Sequence, residues 1–458
     1  MEEPYELPAS RRRKKILSPT RLIVGSFFLV ILVGTLLLLL PFSTRDGHIQ
    51  LVDALFTATS ATCVTGLIVF DTYTEFTWFG QLVILLLIQV GGLGLVTLTS
   101  VFTVGLRRKV GFKSMKLVSE SINTSSVSDA GKMLMMVIRL AFTFELVGAL
   151  LLAFYFVPHF GPKGLWIAVF LSISSFCNAG FDVLGFLGPY CSLMPYVGNW
   201  YVLSIIMFLI VSGGLGFVVW HEIFSLPKTK HLSINAKVVL LFTGVLLALG
   251  TLGLLALEWN NPATIGQLPA DEKVLASMFQ SVTARTAGYA TLNLASLTMF
   301  SKYLMILLMF IGAAPGGTGG GVKVTTIGVL AVTVFCVAGG REDPVIFGRR
   351  IDKKTVYRSA TVILLSLIAV LVSAVTIFFN TDARVTEVDS LFEAVSAYAT
   401  VGLSTGATVL MNTPAKLITV VTMFIGRVGP VSLLISLARQ ASEGSRREVL
   451  PEARINVG

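Results

Sequence analysis

Long apolar runs follow one another along most of this 458-residue chain. Several runs are long enough to cross the hydrocarbon core of a bilayer, which needs roughly 20 helical residues. In hydrocarbon every backbone N–H and C=O group must be satisfied within its own element, so the runs are predicted to be helices. The predicted spans are Leu22–Leu40, Trp78–Val104, Met133–Val157, Trp200–Phe224, Val238–Leu257, Ser359–Phe379 and Leu417–Leu437, with Tyr303–Ala313 and Val324–Val337 forming one interrupted span.

The composition and the placement of charge support this interpretation. Charged residues make up 13% of the chain, whereas soluble domains carry about 25%. Most basic residues fall in every second loop and in the tails, which predicts that both termini are cytoplasmic. They do not gather on one face, so the net charge of +10 does not predict a nucleic-acid partner. The basic clusters are Arg11–Lys15, Arg107–Lys116, Lys228–Lys230, Arg341–Arg358 and Arg439–Arg454.

A short motif ending in glycine and a large apolar residue occurs four times between the apolar runs. Each copy is about 12 residues long, which is too short to span a bilayer but long enough for a re-entrant half-helix. The repeats predict an all-α polytopic membrane protein in which a unit of span, pore helix and span occurs four times around one pseudo-fourfold pore, giving eight spans. The copies are Leu55–Leu67, Val169–Phe181, Met278–Tyr289 and Leu391–Leu403.

The repeats also divide the chain. The predicted divisions are an N-terminal cytoplasmic tail (1–21), four pore repeats (22–117, 118–232, 233–345 and 346–440) and a C-terminal cytoplasmic tail (441–458). A glycine cluster interrupts the second span of each repeat. Close packing of small residues between helices would explain these clusters, and their recurrence at corresponding positions also favours a shared architectural role. The clusters are Gly91–Gly94, Gly213–Gly216, Gly312–Gly321 and Gly426–Pro430.

The residues around each repeated glycine indicate a path for a cation. Rings of backbone carbonyls can replace the water shell of an ion without adding fixed charge. Glycine permits the left-handed backbone that aims successive carbonyls at one axis, and Thr400-Val401-Gly402 closely resembles the filter motif of potassium channels. The candidate residues for binding a potassium ion are Val64, Thr65, Gly66, Asn178, Ala179, Gly180, Thr286, Ala287, Gly288, Thr400, Val401 and Gly402.

With these motifs the sequence resembles the Trk/Ktr/HKT superfamily of potassium transporters, and within it the bacterial Ktr-type membrane subunit. The resemblance covers roughly residues 18–440 and rests on the four turns, on Phe310–Lys323 and on Phe424–Pro430. It implies a homodimer in membrane lipid with one potassium pore per subunit and no covalent cofactor. It also implies a cytosolic ring of nucleotide-binding regulatory subunits (KtrA- or KtrC-like) that gates the pore and holds the nucleotide.

The glycine-rich stretch of the third repeat is predicted to be a loop at membrane depth, since Pro315 and the glycines break helical hydrogen bonding. The resemblance implies a gate below the filter, and a hinge without gating is the alternative. A phosphate-binding loop fits poorly because Val322 displaces Lys323 from the lysine position of that motif and no strand precedes it. The candidate gate residues are Gly312, Pro315, Gly316, Gly317, Thr318, Gly319, Gly320, Gly321, Lys323 and Arg427.

Charged residues within the predicted spans require partners. Exposed to lipid, Arg427 would cost at least about 2.5 kcal/mol, so it either faces the pore as a barrier to cations or braces helix carbonyls. Arg285 is predicted to brace filter carbonyls or a carboxylate. Glu145 is a candidate partner for Arg285 or Arg139. Acidic residues predicted to start three of the half-helices, where they complement the positive helix end, are Asp53, Asp271, Glu272 and Asp389.

Two further classes of function are alternatives to gated potassium uptake. A sodium or sodium–potassium cotransporting carrier is the alternative transporter, although carriers usually contain inverted repeats. An intramembrane enzyme is disfavoured because the four histidines are scattered and form no Ser–His or HExxH pattern. The four cysteines are also scattered and predict neither a disulfide nor a metal site, and Cys63 and Cys177 are predicted to be small packing residues.

Overall fold

The computed structural model describes residues 19–94, 130–341 and 343–430. Regular structure in these ranges is almost entirely helical, in agreement with the predicted class. One small hairpin pairs β1 (Val345–Ile346) with β2 (Arg349–Arg350), and short 3-10 helices cover Met194–Tyr196, Leu294–Ser296 and Thr408–Leu410. The α-helices are α1 (Pro19–Leu38), α2 (Leu51–Thr62), α3 (Thr72–Glu75), α4 (Trp78–Leu93), α5 (Ala130–Phe160), α6 (Pro162–Phe176), α7 (Trp200–Gly214), α8 (Phe217–Thr229), α9 (Ile234–Glu258), α10 (Ala270–Thr283), α11 (Met299–Phe310), α12 (Val324–Ala338), α13 (Lys353–Phe379), α14 (Glu387–Ala399) and α15 (Thr413–Val428).

The helices follow one order in each repeat. A first helix (α1, α5, α9 or α13) is followed by a short middle helix (α2, α6, α10 or α14) and then by a second helix that starts at α4, α7, α11 or α15. The middle helices have 12, 15, 14 and 13 residues, too few to cross a bilayer. Each second helix begins at a side-chain cap that accepts a hydrogen bond from the first turn, and these caps are Thr77, Asn199, Thr298 and Asn412.

Packing between the repeats closes a circle. Each first helix packs against the middle helix of its own repeat, and each second helix packs against the middle helix of the next repeat. The contacts between repeats are therefore α4 with α6, α7 with α10, α11 with α14, and α15 with α2. Since the last contact joins the fourth repeat to the first, the four middle helices surround a common centre.

Polar links reinforce three of these four contacts. The Lys416 ammonium on α15 lies 2.5 Å from the Asp53 carboxylate on α2, and Lys302 on α11 lies 2.8 Å from Asp389 on α14. On α6 the indole of Trp166 donates to the Gln81 side chain on α4 at 2.9 Å. The two carboxylates occupy the first turns of their helices, as predicted. Their partners are lysines of neighbouring repeats, which the sequence analysis did not identify.

Three described helices are long and apolar enough to cross a membrane: Leu134–Phe160, Ile234–Glu258 and Lys353–Phe379. A fourth candidate is the bent pair α7 and α8. Large apolar side chains such as Phe154 and Phe379 are exposed on the outside of the bundle, where lipid rather than water would cover them. The count of eight spans stays a prediction.

The predicted span Trp200–Phe224 is broken at its glycine cluster, Gly213–Gly216, into two helices. The chain bends by 98° between α7 and α8, where Gly216 adopts a left-handed φ of 88°. The Phe217 N–H then donates to the Gly316 carbonyl of the third repeat at 3.1 Å and does not continue the helical ladder. Hydropathy does not register such a contact between repeats. The ends of Trp78–Val104 and Leu417–Leu437 beyond residues 94 and 430 lie outside the described residues, as do most of both tails.

Candidate ion-binding site and gate

A turn follows each middle helix, and the four turns share one backbone pattern. The first turn residue and the glycine both have left-handed φ angles, whereas the residue between them does not. Left-handed φ is uncommon for residues other than glycine, so the four turns share an unusual backbone conformation. The first residues are Val64, Asn178, Thr286 and Thr400 (φ 55°, 58°, 68° and 52°), and the glycines are Gly66, Gly180, Gly288 and Gly402 (φ 87°, 69°, 84° and 94°).

The four glycines form a closed ring. A methyl group added to any of them would clash with the backbone carbonyl that precedes the glycine of the next turn. The clashing carbonyl is that of Ala179 for Gly66, Ala287 for Gly180, Val401 for Gly288 and Thr65 for Gly402. The fourth turn therefore returns to the first, and all twelve candidate ion-binding residues lie in four adjoining turns around one centre.

One hydroxyl group near the end of each middle helix holds the turn that follows. In the first and fourth turns the hydroxyl accepts from the glycine N–H at 3.1 Å. In the second and third turns it donates to the carbonyl after the glycine at 2.7 and 2.8 Å. No role for these residues was predicted, although their matching positions in the four copies are a usable signal. They are Ser60, Ser174, Thr283 and Ser396.

The fourth turn has an additional anchor that sequence analysis missed. The buried carboxylate of Glu393 accepts from the Ser404 hydroxyl (2.6 Å), the Thr405 N–H (3.0 Å) and the Thr408 hydroxyl (2.6 Å). The corresponding residue of the third repeat is Gln280, whose buried amide has no hydrogen-bond partner among the described residues. The segment after the fourth turn is thus fixed by a carboxylate, whereas Gln280 provides no such anchor.

Residues 311–323 form a loop that leaves α11 and returns to α12. Its ends are held together, since the Gly312 N–H donates to the Val322 carbonyl at 2.8 Å. Three consecutive loop residues lie against the first residues of the second, third and fourth turns. The Thr318 hydroxyl lies 3.1 Å from the Asn178 amide, Gly319 packs on the Thr286 side chain, and the Gly320 N–H donates to the Thr400 hydroxyl at 3.0 Å.

Two basic residues hold this loop. The guanidinium of Arg427 donates to the Thr318 carbonyl and to the Gly91 carbonyl on α4, so that it links the loop to the first repeat. The Lys323 ammonium donates to the Gly319 carbonyl at 2.6 Å. Of the two carbonyls that accept from Arg427, Gly91 lies on a helix, as in the predicted brace, and Thr318 lies in the loop, whereas the alternative role of Arg427 as a barrier stays a prediction. The contacts of Arg427 and Lys323 also place two positive charges beside the loop that lies against the turns.

The structure corrects the predicted partners of Arg285 and Glu145. Arg285 is buried, and its guanidinium reaches the loop carbonyl of Gly312 at 3.4 Å, not a turn carbonyl or a carboxylate. Glu145 accepts two hydrogen bonds from the Gln89 amide at 2.9 and 3.1 Å, so neither proposed arginine partner is right. Gln89 and Glu145 face each other between α4 and α5, a contact that spacing along the chain does not reveal.

The glycines of the second helices pack on the ends of the middle helices. A methyl group on Gly91, Gly213 or Gly426 would clash with the backbone of Thr62, Phe176 or Tyr398, the residue four positions before the turn glycine. Gly312 is different, because it packs against Gly320 of its own loop. Cys63 and Cys177 are fully buried in this region.

Comparison with known proteins agrees with this architecture. The family described as TrkH, cation transport protein, matches residues 12–446. The "Potassium/sodium uptake protein NtpJ" of Enterococcus hirae is 36% identical over 455 residues, which cover 98% of this chain and 99% of that protein. The "Ktr system potassium uptake protein B" of Bacillus subtilis is 38% identical over 430 residues, covering 94% and 95%.

A solved structure with the same fold is the potassium transporter TrkH of Vibrio parahaemolyticus. It superposes with a TM-score of 0.70 over 94% of this chain and 87% of its own, at 18% sequence identity. At that identity the likeness concerns the fold alone.

Proposed function

Because this chain belongs to the TrkH family of cation transport proteins, we propose that it takes up potassium across the cell membrane through a gated, channel-like pore. Family membership makes it a multi-pass membrane cation transporter and not an enzyme. The names of the relatives, which refer to potassium uptake, support potassium as the transported ion.

The closed ring of four glycine turns is the observation that carries the proposal. Each turn has the same alternation of φ angles, and each glycine abuts the next turn without room for a methyl group. Such a ring supplies backbone oxygens from four sides, which is what a dehydrated cation requires. We therefore assign the four turns as a selectivity filter in a pseudo-fourfold pore with eight spans.

Residues 312–321, the central part of the loop 311–323, are proposed as the gate. Support comes from its contacts with the first residues of three turns and from the positive charges of Lys323 and Arg427 beside it. A cation leaving the filter would meet both the loop and these charges. Movement of the loop would remove the obstruction and shift the charges, and Arg285 would follow through its contact with Gly312.

The proposed assembly is a homodimer bound to a cytosolic ring of KtrA- or KtrC-like regulatory subunits, with both termini of this chain in the cytoplasm. Support comes from the relatives named as part of a Ktr system, since a system implies further subunits. The nucleotide that controls the gate would then be held by the ring.

A sodium–potassium cotransporting carrier is the second candidate, favoured by one relative that is named for both ions. The two functions differ in how the current depends on the two ion gradients. The test is the reversal potential in proteoliposomes under separate potassium and sodium gradients. A potential that follows the potassium gradient alone supports the channel, and one that requires a fixed ratio of both ions supports the carrier.

The gate is tested by deleting Ala313–Gly320. The ends of the deletion already lie together through the Gly312–Val322 hydrogen bond, so the neighbouring helices can stay in place. We expect a higher potassium flux that no longer responds to the regulatory ring. A folded deletion variant with unchanged or lower flux would contradict the gate assignment.

A further inference from the structure

A groove of about 820 Å³ opens on the outside of the second repeat, between α5, α7 and α8. Its walls are almost entirely apolar, and several of the side chains are exposed. The apolar lining includes Met136, Leu140, Phe144 and Val147 on α5, Phe208 on α7 and Phe224 on α8, of which Val147, Phe208 and Phe224 are exposed. An exposed apolar groove in a membrane protein is a surface that lipid chains cover.

One charged residue, Arg139, lies within this groove. It is five residues into the candidate span Leu134–Phe160, where an arginine exposed to hydrocarbon is strongly unfavourable. The Arg139 side chain is exposed, and it makes no hydrogen bond or ion pair with any residue in the described part of the chain. Its position therefore calls for an anionic group from outside the described residues.

We propose that the groove binds one anionic phospholipid, with its phosphate at Arg139 and an acyl chain along the apolar walls. Guanidinium groups bind phosphate oxygens through paired, charge-assisted hydrogen bonds. Basic sites between helices near the cytoplasmic face bind anionic headgroups, and the proposed orientation puts the start of α5 at that face. The binding step depends on α5 lying in the membrane and does not depend on the proposed filter or gate.

The groove is also connected to the loop 312–321. Its wall residue Phe144 stacks with Phe176 (5.7 Å between ring centroids) and lies against Trp220 of α8 (5.0 Å). The Phe176 carbonyl accepts from the Thr318 hydroxyl at 3.1 Å. The first residue of α8, Phe217, donates to Gly316. A lipid seated against Phe144 and Phe224 thus steadies α8 and, through it, the loop, so ion flux depends on lipid type.

The binding step is tested by native mass spectrometry of the purified protein titrated with phosphatidylglycerol or phosphatidylcholine. We expect one tightly held phosphatidylglycerol per chain. Arg139→Gln should lower its affinity about fivefold, the effect of one basic residue at a membrane surface, and should abolish the preference over phosphatidylcholine. Val147→Trp fills the groove and should weaken both lipids. Both positions face outward, and equal thermal stability of the variants in detergent verifies folding.

Lys230→Gln is the matched control, because it removes one positive charge near the same face but outside the groove. An equal loss of affinity in this control would mean that lipid binding depends only on the general positive charge of the surface, and it would overturn the proposed site. Unchanged lipid binding in Val147→Trp would overturn it as well. If the wild-type dimer holds no lipid and Val147→Trp separates it into monomers, a second copy of the chain covers the groove.

The coupling to the loop is measured separately, as potassium flux in vesicles with and without phosphatidylglycerol. We expect the lipid to change the wild-type flux and to leave that of Arg139→Gln unaffected. Because this arm rests on the proposed function, its failure beside intact lipid binding would remove the coupling and keep the site. The absence of any potassium flux in the wild type would instead count against the proposed function.

Discussion

The turns and the glycine breaks of the second helices come from the same four repeats, yet only the turns remain alike. All four turns combine a left-handed first residue with a left-handed glycine, and each glycine abuts the next turn. At the breaks, Gly91, Gly213 and Gly426 pack on their middle helices, whereas Gly312 packs on its own loop. The third repeat therefore differs from the others at the glycine break of its second helix and not at its turn.

The proposed filter and gate would explain the difference by two physical requirements. An ion without its water shell needs equivalent oxygens from every side, so a distortion of one turn would spoil the ring. An obstruction of the same path needs only one element, and a single repeat can supply it. The following predictions test whether the ring works as a unit and whether the third repeat alone controls it.

The largest effect is expected for Gly402→Ser. The new side chain would clash with the Thr65 carbonyl and would also have to adopt φ 94°, a strain that alone costs about 1–2 kcal/mol, or roughly tenfold. We expect the preference for potassium over sodium to fall at least about tenfold, measured from reversal potentials. Gly406→Ser is the control, since Gly406 has φ 97° but no atom within 4 Å of an added methyl group. Equal losses in both variants would contradict the ring.

The next effect is expected at Arg427, which links the loop of the third repeat to the first repeat. Arg427→Gln removes a charge and the hydrogen bonds to Thr318 and Gly91, each worth about 1.5–3 kcal/mol when charged. Potassium flux should rise about tenfold if one such bond holds the loop. Arg427→Lys keeps the positive charge but lacks the planar guanidinium group with its several donors. A low flux in this variant would show that the charge alone forms the barrier.

Arg384→Gln is a matched control for Arg427, because this exposed arginine pairs with Asp382 outside the pore region. Its flux should equal that of the wild type. A folded Arg427→Gln protein with unchanged flux would remove this residue from the gate.

A smaller effect is expected from Glu393, which anchors the fourth turn, and from the corresponding Gln280 of the third repeat. Glu393→Gln replaces a carboxylate that accepts three hydrogen bonds and should lower the free energy of unfolding by about 1–3 kcal/mol. Gln280→Leu removes a buried amide that lacks partners among the described residues, so it should be neutral or stabilising. Thermal unfolding in detergent compares the two. The reverse order would mean that the anchor of the fourth turn is unimportant.

The smallest effect is expected for the ion pair between Lys302 on α11 and Asp389 on α14. A double-mutant cycle with Lys302→Met and Asp389→Asn should give a coupling of about 1 kcal/mol between these mostly buried groups. The exposed pair Arg384 and Asp382 should show no measurable coupling, because solvent screens it. Both cycles are measured by thermal unfolding. No coupling between Lys302 and Asp389 would mean that this ion pair does not stabilise the contact between α11 and α14.

Much of the fold was readable from hydropathy and repetition. The middle helices end where the four motifs predict, and Asp53 and Asp389 stand in first turns as expected. The glycine cluster Gly213–Gly216 marked this position, but the 98° bend was not predictable from it, because the contact that diverts the chain, Gly316, lies in another repeat.

The candidate site was predictable to a similar extent. The turn residues follow from glycine spacing, and the loop follows from its glycines and Pro315. The hydroxyls that hold the turns were present in the motif at matching positions, and only the hydrogen bonds reveal their role. The partners of Arg427 and Glu145 were not accessible, since Gly91 is 336 residues from Arg427 along the chain and Gln89 is 56 residues from Glu145.

The sequence by itself determined that this protein is a helical membrane protein with four glycine turns, because hydrophobic length and backbone freedom are local properties of the chain. Only the tertiary structure decided that the turns close into one ring and that the loop of the third repeat lies against three of them. It also decided which carbonyls accept hydrogen bonds from Arg427. These are contacts between distant segments, and their geometry depends on how whole helices pack.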